Sequence, residues 1–335
     1  MSEFLLWLSA HLGWVIGLSV AIFILLTGVS LILLTAAIVF RKTLYKKNLK
    51  PRKREFSFNA PEPHPPHIKD QSKMFEEGIA WAEQHKDKIK DLHMVNDKLD
   101  LYGQYIDFGF DKCAIVLQGR TESLLYSYYF SQAYAKKGYN ILVIDVRTHG
   151  LSDGKFVTAG IHESRDLIKW IKLVKEQFNI ESFVVHGICI GGATGILAYD
   201  TLKKQNDPDY KLIKKLVVDG TFPTFYSIFA RHHKERKKPR MFIPIVFFYL
   251  WLCTGACMFK TTPIKAIKSV DDIPMLFMYS KEDFYVPPKN GQKLFDACPS
   301  PKKELKFFPK GRHSHVRFNN TEAYDAAIEE FLSRE

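Results

Sequence analysis

Between Phe4 and Phe40 the chain contains no Asp, Glu, Lys or Arg. That gap excludes an ordinary water-facing segment. The run from about Trp14 to Phe40 exceeds the ~20 apolar residues a bilayer-crossing helix needs. A cleaved signal peptide is disfavoured, because only Ser2 and Glu3 precede the run where positive charge is expected, and its apolar core is longer than the usual ~7–15 residues. Residues 1–40 are therefore read as an uncleaved anchor, with Trp7 and Trp14 placed for a membrane–water interface. Cysteine is scarce. The five residues form no Cys-x-x-Cys pair and no metal-type Cys/His spacing, which argues against a disulfide framework and fits a reducing compartment. No metal or organic cofactor is expected. No internal repeat is evident, so nothing points to a solenoid. With 46% hydrophobic and 25% charged residues, the composition excludes a disordered chain and is that of a globular protein.

The net charge of +12 raises the question of nucleic acid, and its distribution answers it. Arg41 to Arg54 holds eight Lys and Arg with no acid, and Arg231 to Arg240 holds six against Glu235. The rest of the chain is close to neutral. Each basic cluster adjoins a long apolar run, which points to a membrane surface and not to a nucleic-acid groove. The cluster after the anchor places the C-terminal side in the cytoplasm by the positive-inside rule. Residues 41–69 read as a basic and proline-rich linker, with Ala60 to His67 as a stiff extended spacer. An amphipathic helix is expected from about Asp70 to Ile89.

From Leu92 onward the pattern changes. Leu99 to Ile106 alternates like an antiparallel edge hairpin. Buried-strand runs at 113–117, 141–145, 183–185, 215–219, 274–279 and 305–308 then alternate with helical stretches at 124–137, 161–177, about 190–204 and 322–332. Such alternation builds a mainly parallel, doubly wound sheet over residues 70–335. One βα junction stands out. Phe183-Val184-Val185-His186 runs into Gly187-Ile188-Cys189-Ile190-Gly191-Gly192. An apolar strand ending in Gly-x-Cys-x-Gly before a helix has the shape of a nucleophile elbow, with cysteine in place of serine. The glycines keep the crowded turn free of side chains, and the following helix aims backbone N–H groups at any oxyanion formed there.

Further motifs follow in a consistent order. Gln118-Gly119-Arg120 ends a strand. Asp145-Val146-Arg147-Thr148-His149-Gly150-Leu151-Ser152 forms a loop, and Gly160 to Asp166 opens a helix as Gly-x-x-Glu-x-x-Asp. Ser280 to Pro287 carries Asp283 past a strand end, and Gly311-Arg312-His313 forms a turn. From Leu92 to Phe331 the sequence resembles the α/β-hydrolase superfamily, particularly the bacterial branch similar to serine aminopeptidases and monoacylglycerol lipases. Gln118 departs from the histidine common at its position, and Cys189 from the usual serine. The resemblance implies nucleophile Cys189, acid Asp283 and base His313, with the backbone N–H groups of Arg120 and Ile190 as oxyanion hole. His315, two residues on, is an alternative base. Arg147 and His149 read as structural loop residues.

A thiolate is a stronger nucleophile than a neutral hydroxyl, and thiol-based relatives resembling dienelactone hydrolases and acyl-CoA:amino-acid acyltransferases exist. The chemistry implied is cleavage of ester or thioester bonds of an apolar small-molecule acyl substrate, a class that includes lipid-like compounds. The alternatives are an aminopeptidase-like peptidase and a binding module on a hydrolase fold that has lost catalysis. Residues 221–270 form an insertion expected to act as a cap. Its Met241 to Phe259 run is close to transmembrane length, but Pro244 and Gly255 interrupt it. A buried cap helix lining an apolar pocket is expected, with its basic cluster and aromatics against the bilayer.

Overall fold

The computed structural model describes residues 2–45, 66–120, 122–235, 237 and 239–334. Most of the basic linker and the spacer from Ala60 to Pro65 lie outside the described residues. Helix α1 (Ser2–Leu44) is apolar along nearly its whole length, and Ser9–Leu44 is long and apolar enough to cross a membrane. It runs through Arg41 and Lys42 rather than ending at Phe40, as expected of two good helix formers. Helix α2 (Pro66–Glu83) opens on a proline, which suits a first helical turn because its missing N–H has no helical partner to lose. Pro66 and His67, expected in the spacer, belong to this helix, and α2 ends at Glu83, short of Ile89, where a strand begins.

The sheet domain follows as β1 (Ile89–Asn96), β2 (Leu99–Ile106), β3 (Lys112–Leu117), α3 (Leu124–Lys136), β4 (Asn140–Ile144), α4 (Ile161–Phe178), β5 (Ser182–Ile188), α5 (Ile190–Lys204) and β6 (Ile213–Asp219). The insertion contributes α6 (Phe225–Glu235), α7 (Phe242–Thr254) and the single turn α8 (Pro263–Ala266). Then come β7 (Met275–Ser280), α9 (Pro288–Ala297), β8 (Lys303–Phe308), the turn α10 (Val316–Asn319) and α11 (Thr321–Ser333). The eight strands lie in the order β1-β2-β4-β3-β5-β6-β7-β8. β1 and β2 pair antiparallel, as does β2 with β4, and every other pairing is parallel. This is the α/β-hydrolase fold.

Topology positions the site. The chain moves one way from β3 to β4 and the other way from β5 to β6. Right-handed crossovers therefore put α3 on one face and α4, α5 and α9 on the opposite face. The direction reverses beside β3 and β5, and their C-terminal ends mark the crevice where such sheets bind ligands. β3 and β5 bury almost every side chain, as strands covered on both faces must. Each Val or Ile so buried contributes about 1.5–3 kcal/mol.

Pro244 and Gly255 prove to be boundaries of α7. The proline sits in the first turn, and Gly255, at φ 72°, ends the helix by donating its N–H to Trp251 O. Thirteen residues span about 20 Å, short of the ~30 Å hydrocarbon core. α7 buries Ile243, Val246, Phe247 and Leu250 against Phe225, Phe229 and Phe259, and its neighbouring face packs on α1.

Candidate active site

The geometry starts at the end of β5. Cys189 is held at φ 54°, ψ −106°, a conformation few non-glycine residues tolerate and one that costs about 1–3 kcal/mol. Its N–H donates to Asp219 O at 2.7 Å, tying the turn to the end of β6. The flanking glycines are sterically required. A Cβ on Gly187 would lie 2.1 Å from Gly191 C, and one on Gly191 would lie 2.5 Å from Leu117 O. The thiol is thus lifted off the sheet at the N-terminus of α5, where backbone N–H groups have no helical partners.

Asp283 and His313 come from two loops, after β7 and after β8. Asp283 is 2% exposed. Its Oδ1 accepts the backbone N–H groups of Tyr285 and Val286 at 2.8 and 2.7 Å, which fixes the carboxylate. Its Oδ2 lies 2.7 Å from His313 Nδ1. That contact presents Nε2 toward Cys189. Nε2 makes no hydrogen bond of ordinary length to the protein and sits within electrostatic reach of the thiol. Burial alone would depress the proton affinity of His313. The charges of Asp283 and Cys189, with the hydrogen bond to Asp283, outweigh burial and hold its pKa well above the ordinary histidine value. The Tyr285 ring packs on His313 with centroids 4.7 Å apart. His315 Nδ1 pairs instead with the His313 carbonyl at 2.7 Å.

Cys189, His313, His315 and Arg120 share one cavity of about 210 Å³ with Gln71, Glu122, Tyr285 and Ser314. Ile190 follows the thiol as the first residue of α5. The lining residues all carry polar groups and come from α2 and the strand-end loops. The expected apolar lining from α7 is not what surrounds Cys189, because α7 packs instead between α6 and α1. Arg120 also ties the cavity to the anchor helix, since its Nη1 donates to Thr43 O at 3.0 Å, in the last turn of α1. An arginine there satisfies a carbonyl that the helix leaves without a partner. Glu122 Oε2 accepts the Gly119 N–H at 2.8 Å.

Arg147 forms a two-pronged pair with Asp166, each contact 2.6 Å, and His149 bonds Thr148 and the Arg147 carbonyl. Asp145 accepts the Leu124 and Leu151 N–H groups. These motif residues hold loops in place and lie outside the cavity.

Sequence reasoning missed a buried group beneath the site. Asp219, at the end of β6, is fully buried, and burial raises its pKa to about 7 against the hydrogen bond it receives from Tyr324. Tyr324 Oη donates to Asp219 Oδ2 at 2.8 Å and lies 3.2 Å from His186 Nε2. Burial, assisted by the positive charge of Arg317, lowers the His186 pKa to about 3, so the ring is neutral. The visible signal was an acid closing an otherwise apolar strand run, Leu216-Val217-Val218-Asp219.

Comparison with known proteins agrees with the fold. A family model described as alpha/beta hydrolase fold matches residues 115–250, and one described as serine aminopeptidase, S33, matches residues 251–318. The chain is 29% identical over 221 residues to the uncharacterized protein YqkD of Bacillus subtilis, a match covering 65% of this chain and 70% of that protein. It is 24% identical over 201 residues to the uncharacterized membrane protein YNL320W of Saccharomyces cerevisiae, covering 59% of this chain and 62% of that one. Among solved structures it resembles the Pyrococcus furiosus esterase Pf2001, with a TM-score of 0.61 and 24% identity over 76% of this chain and 93% of that one. The two family models abut and span the sheet from β3 through the histidine turn, in the order the strands occur: the chain belongs to the α/β-hydrolase superfamily and is a hydrolase of that fold.

Proposed function

We propose that the protein is a membrane-anchored hydrolase that opens ester or thioester bonds of an acyl substrate through Cys189, His313 and Asp283. One observation carries this reading: a 2.7 Å Asp283–His313 contact beside a cysteine held in the strained elbow geometry. With the Cys189 proton held on His313 Nε2, Sγ attacks the carbonyl carbon, and the carbonyl oxygen becomes an oxyanion facing the N–H groups of Ile190 and Arg120. Collapse breaks the bond to the alkoxide or thiolate, which leaves with the proton held by His313. Water, deprotonated by His313, then attacks the acyl-cysteine thioester. The acid departs and the thiol regains its proton. Asp283 holds the ring's tautomer and stabilises its charged form. The anchor is α1, with residues 41–54 and the catalytic domain on the cytoplasmic side.

The test is hydrolysis of p-nitrophenyl acyl esters of graded chain length by wild type, Cys189→Ala and Cys189→Ser, with intact-mass detection of an acyl group on Cys189. Turnover by wild type without any Cys189 adduct or Cys189 dependence would overturn the reading. Glu122 supports a second reading. A buried carboxylate at the cavity wall suits a free amino group, as an aminopeptidase-like activity requires. Aminoacyl p-nitroanilides distinguish the two, since turnover lost in Glu122→Gln but retained on uncharged esters favours the peptidase.

A further inference from the structure

We infer that cap helix α7 is immersed in the bilayer leaflet beside α1, so that the membrane-embedded unit is a helix pair and the catalytic cavity opens at headgroup level. The inference rests on α1 being the anchor and deepens the proposed function by assigning the side from which substrate arrives.

The anchor supplies the ruler. The 43 residues of α1 span about 65 Å, roughly twice a hydrocarbon core. The described cations nearest its C-terminal end, Arg41 and Lys42, are both exposed and mark the level at which charge meets water. Leu33 lies eight residues earlier, about 12 Å deeper. At that depth the cap touches the anchor. Tyr249 of α7 donates its hydroxyl to Leu33 O at 3.2 Å, and its ring lies 6.2 Å from that of Phe40.

What the pair leaves uncovered is apolar on both members. Along this stretch α1 exposes Leu31, Leu34 and Ile38, while Ala36 is fully buried. α7 has no charged residue and exposes Phe248, Trp251 and Leu252, each close to half or more. Met241 and Phe259 extend the surface. An apolar patch of this kind marks a membrane or protein contact. Its continuity with the exposed side of α1 selects the membrane, because helices packed side by side meet the same medium. Charge placement agrees. Exposed Lys237 and Arg240 precede α7, and exposed Lys155 lies next to Phe156, whose ring stacks on Phe40 at the end of α1. These cations sit at the headgroup boundary, where anionic lipids attract them.

The same boundary locates the cavity. Arg120 lines it and grips Thr43 O in the last turn of α1. The Val157 N–H donates to Leu44 O at 3.0 Å, fastening the neighbouring loop to that turn. A fatty-acyl ester whose head stays in the interface can reach Cys189 without crossing bulk water.

The experiment uses the full chain in lipid nanodiscs. Trp7 and Trp14, the other exposed indoles, are replaced by Phe, leaving Trp251 with the half-buried Trp81 and the buried Trp170. Fluorescence quenching by lipids brominated along the acyl chain is compared with that of the same protein carrying Trp251→Phe. The expected result is at least a twofold loss of bromolipid quenching with Trp251→Phe, and no Trp251 quenching by aqueous iodide. Iodide quenching of Trp251 places α7 in water and overturns the inference. Shielding from both quenchers means that a second copy covers α7, and overturns it equally. A chain that stays in the disc with Trp251 unquenched by lipid retires this inference alone, whereas one that leaves the disc on detergent removal retires the anchor reading with it.

Discussion

Two histidines sit near the C-terminal edge of the sheet, one half-buried and one fully buried, and their proton affinities are pushed in opposite directions. His313, on the loop after β8, has a carboxylate 2.7 Å from Nδ1 and is held well above the ordinary histidine pKa. His186, inside β5 just before the elbow, is fully buried, has no charged partner on either nitrogen and is lowered to about 3. Burial lowers the proton affinity of both rings, and only at His313 does a neighbouring negative charge outweigh it. His313 meets Asp283 directly. His186 is separated from Asp219 by the Tyr324 hydroxyl. A single hydroxyl proton goes to the nearer acceptor, Asp219, so His186 donates its own Nε2–H to Tyr324 and stays neutral. In the proposed mechanism the first histidine exchanges a proton during turnover, while the second remains uncharged beneath it. The lesson is that closeness in sequence to Cys189 does not pair His186 with a carboxylate, because spacing along a strand says nothing about which carboxylate the fold brings up.

The comparison breaks most completely at the thiol. Cys189→Ala should lower acyl-ester hydrolysis by about 10³-fold or more and abolish the acyl-enzyme adduct, measured by steady-state kinetics and intact mass. Asp283→Asn should cost about 10³–10⁴-fold in kcat by removing the group that fixes the imidazole tautomer. It should also remove a stability term of known sign. A histidine whose pKa is raised on folding contributes stability in full below about pH 6.5 and loses it as pH climbs through the higher folded value. Thermal midpoints of wild type should therefore fall on the alkaline side more steeply than those of Asp283→Asn. The matching His186→Gln substitution should leave the acyl-enzyme adduct intact.

Much of the site could be read before the fold was known. Cys189, Asp283 and His313 each follow a strand-like run and are flanked by turn residues, so local pattern located their loops. The alternation from β3 to β8 exposed the doubly wound sheet for the same reason. Other features depend on pairing that local sequence does not encode. β1 reads poorly because its pattern, Ile89-Lys90-Asp91-Leu92-His93-Met94-Val95-Asn96, is mixed and edge-exposed. α7 is apolar all round, so periodicity could not tell which face meets α6, which meets α1 and which is left over. Glu122 and Gln71 reach the cavity from a short turn and from a helix over fifty residues apart, and neither carries a signal in its neighbours. Asp219 looked like any strand-ending acid; its significance is burial beside Tyr324, more than a hundred residues later.

The buried cluster offers a sharper form of the comparison, since its two titrating members oppose each other. Asp219 is raised from 3.8 to about 7, so the folded protein binds its proton more tightly than the unfolded chain. Its contribution is complete below about pH 3.8 and is lost as pH rises to 7, an effect of about 4 kcal/mol at 1.36 kcal/mol per unit. His186 runs the other way. Lowered from 6.5 to about 3, it contributes stability above pH 6.5 that is lost as pH falls toward 3. Asp219→Asn should therefore steepen the acid-side loss of stability, and His186→Gln should flatten it. Urea midpoints of the detergent-solubilised full chain at pH 4, 5.5 and 7 measure both slopes. Parallel profiles for the two variants would show that neither group titrates across this range.

The smallest effect separates hydrogen bonding from charge. Tyr324 makes the described hydrogen bond to the Asp219 carboxylate, and Oδ1 has no protein partner. Tyr324→Phe keeps the ring, which packs against Phe308 and Phe130, and removes only the hydroxyl. The cost should be about 1–3 kcal/mol, the penalty for leaving a buried acceptor unsatisfied. It should also depend on pH. The hydroxyl stabilises the charged carboxylate, so its loss raises the Asp219 pKa further and costs more at pH 8 than at pH 5. Asp219→Asn removes that charge, and in its background Tyr324→Phe should cost the same at both values. A double-mutant cycle measured at the two pH values isolates this coupling, and a pH-independent cycle would place the value of Tyr324 in packing alone.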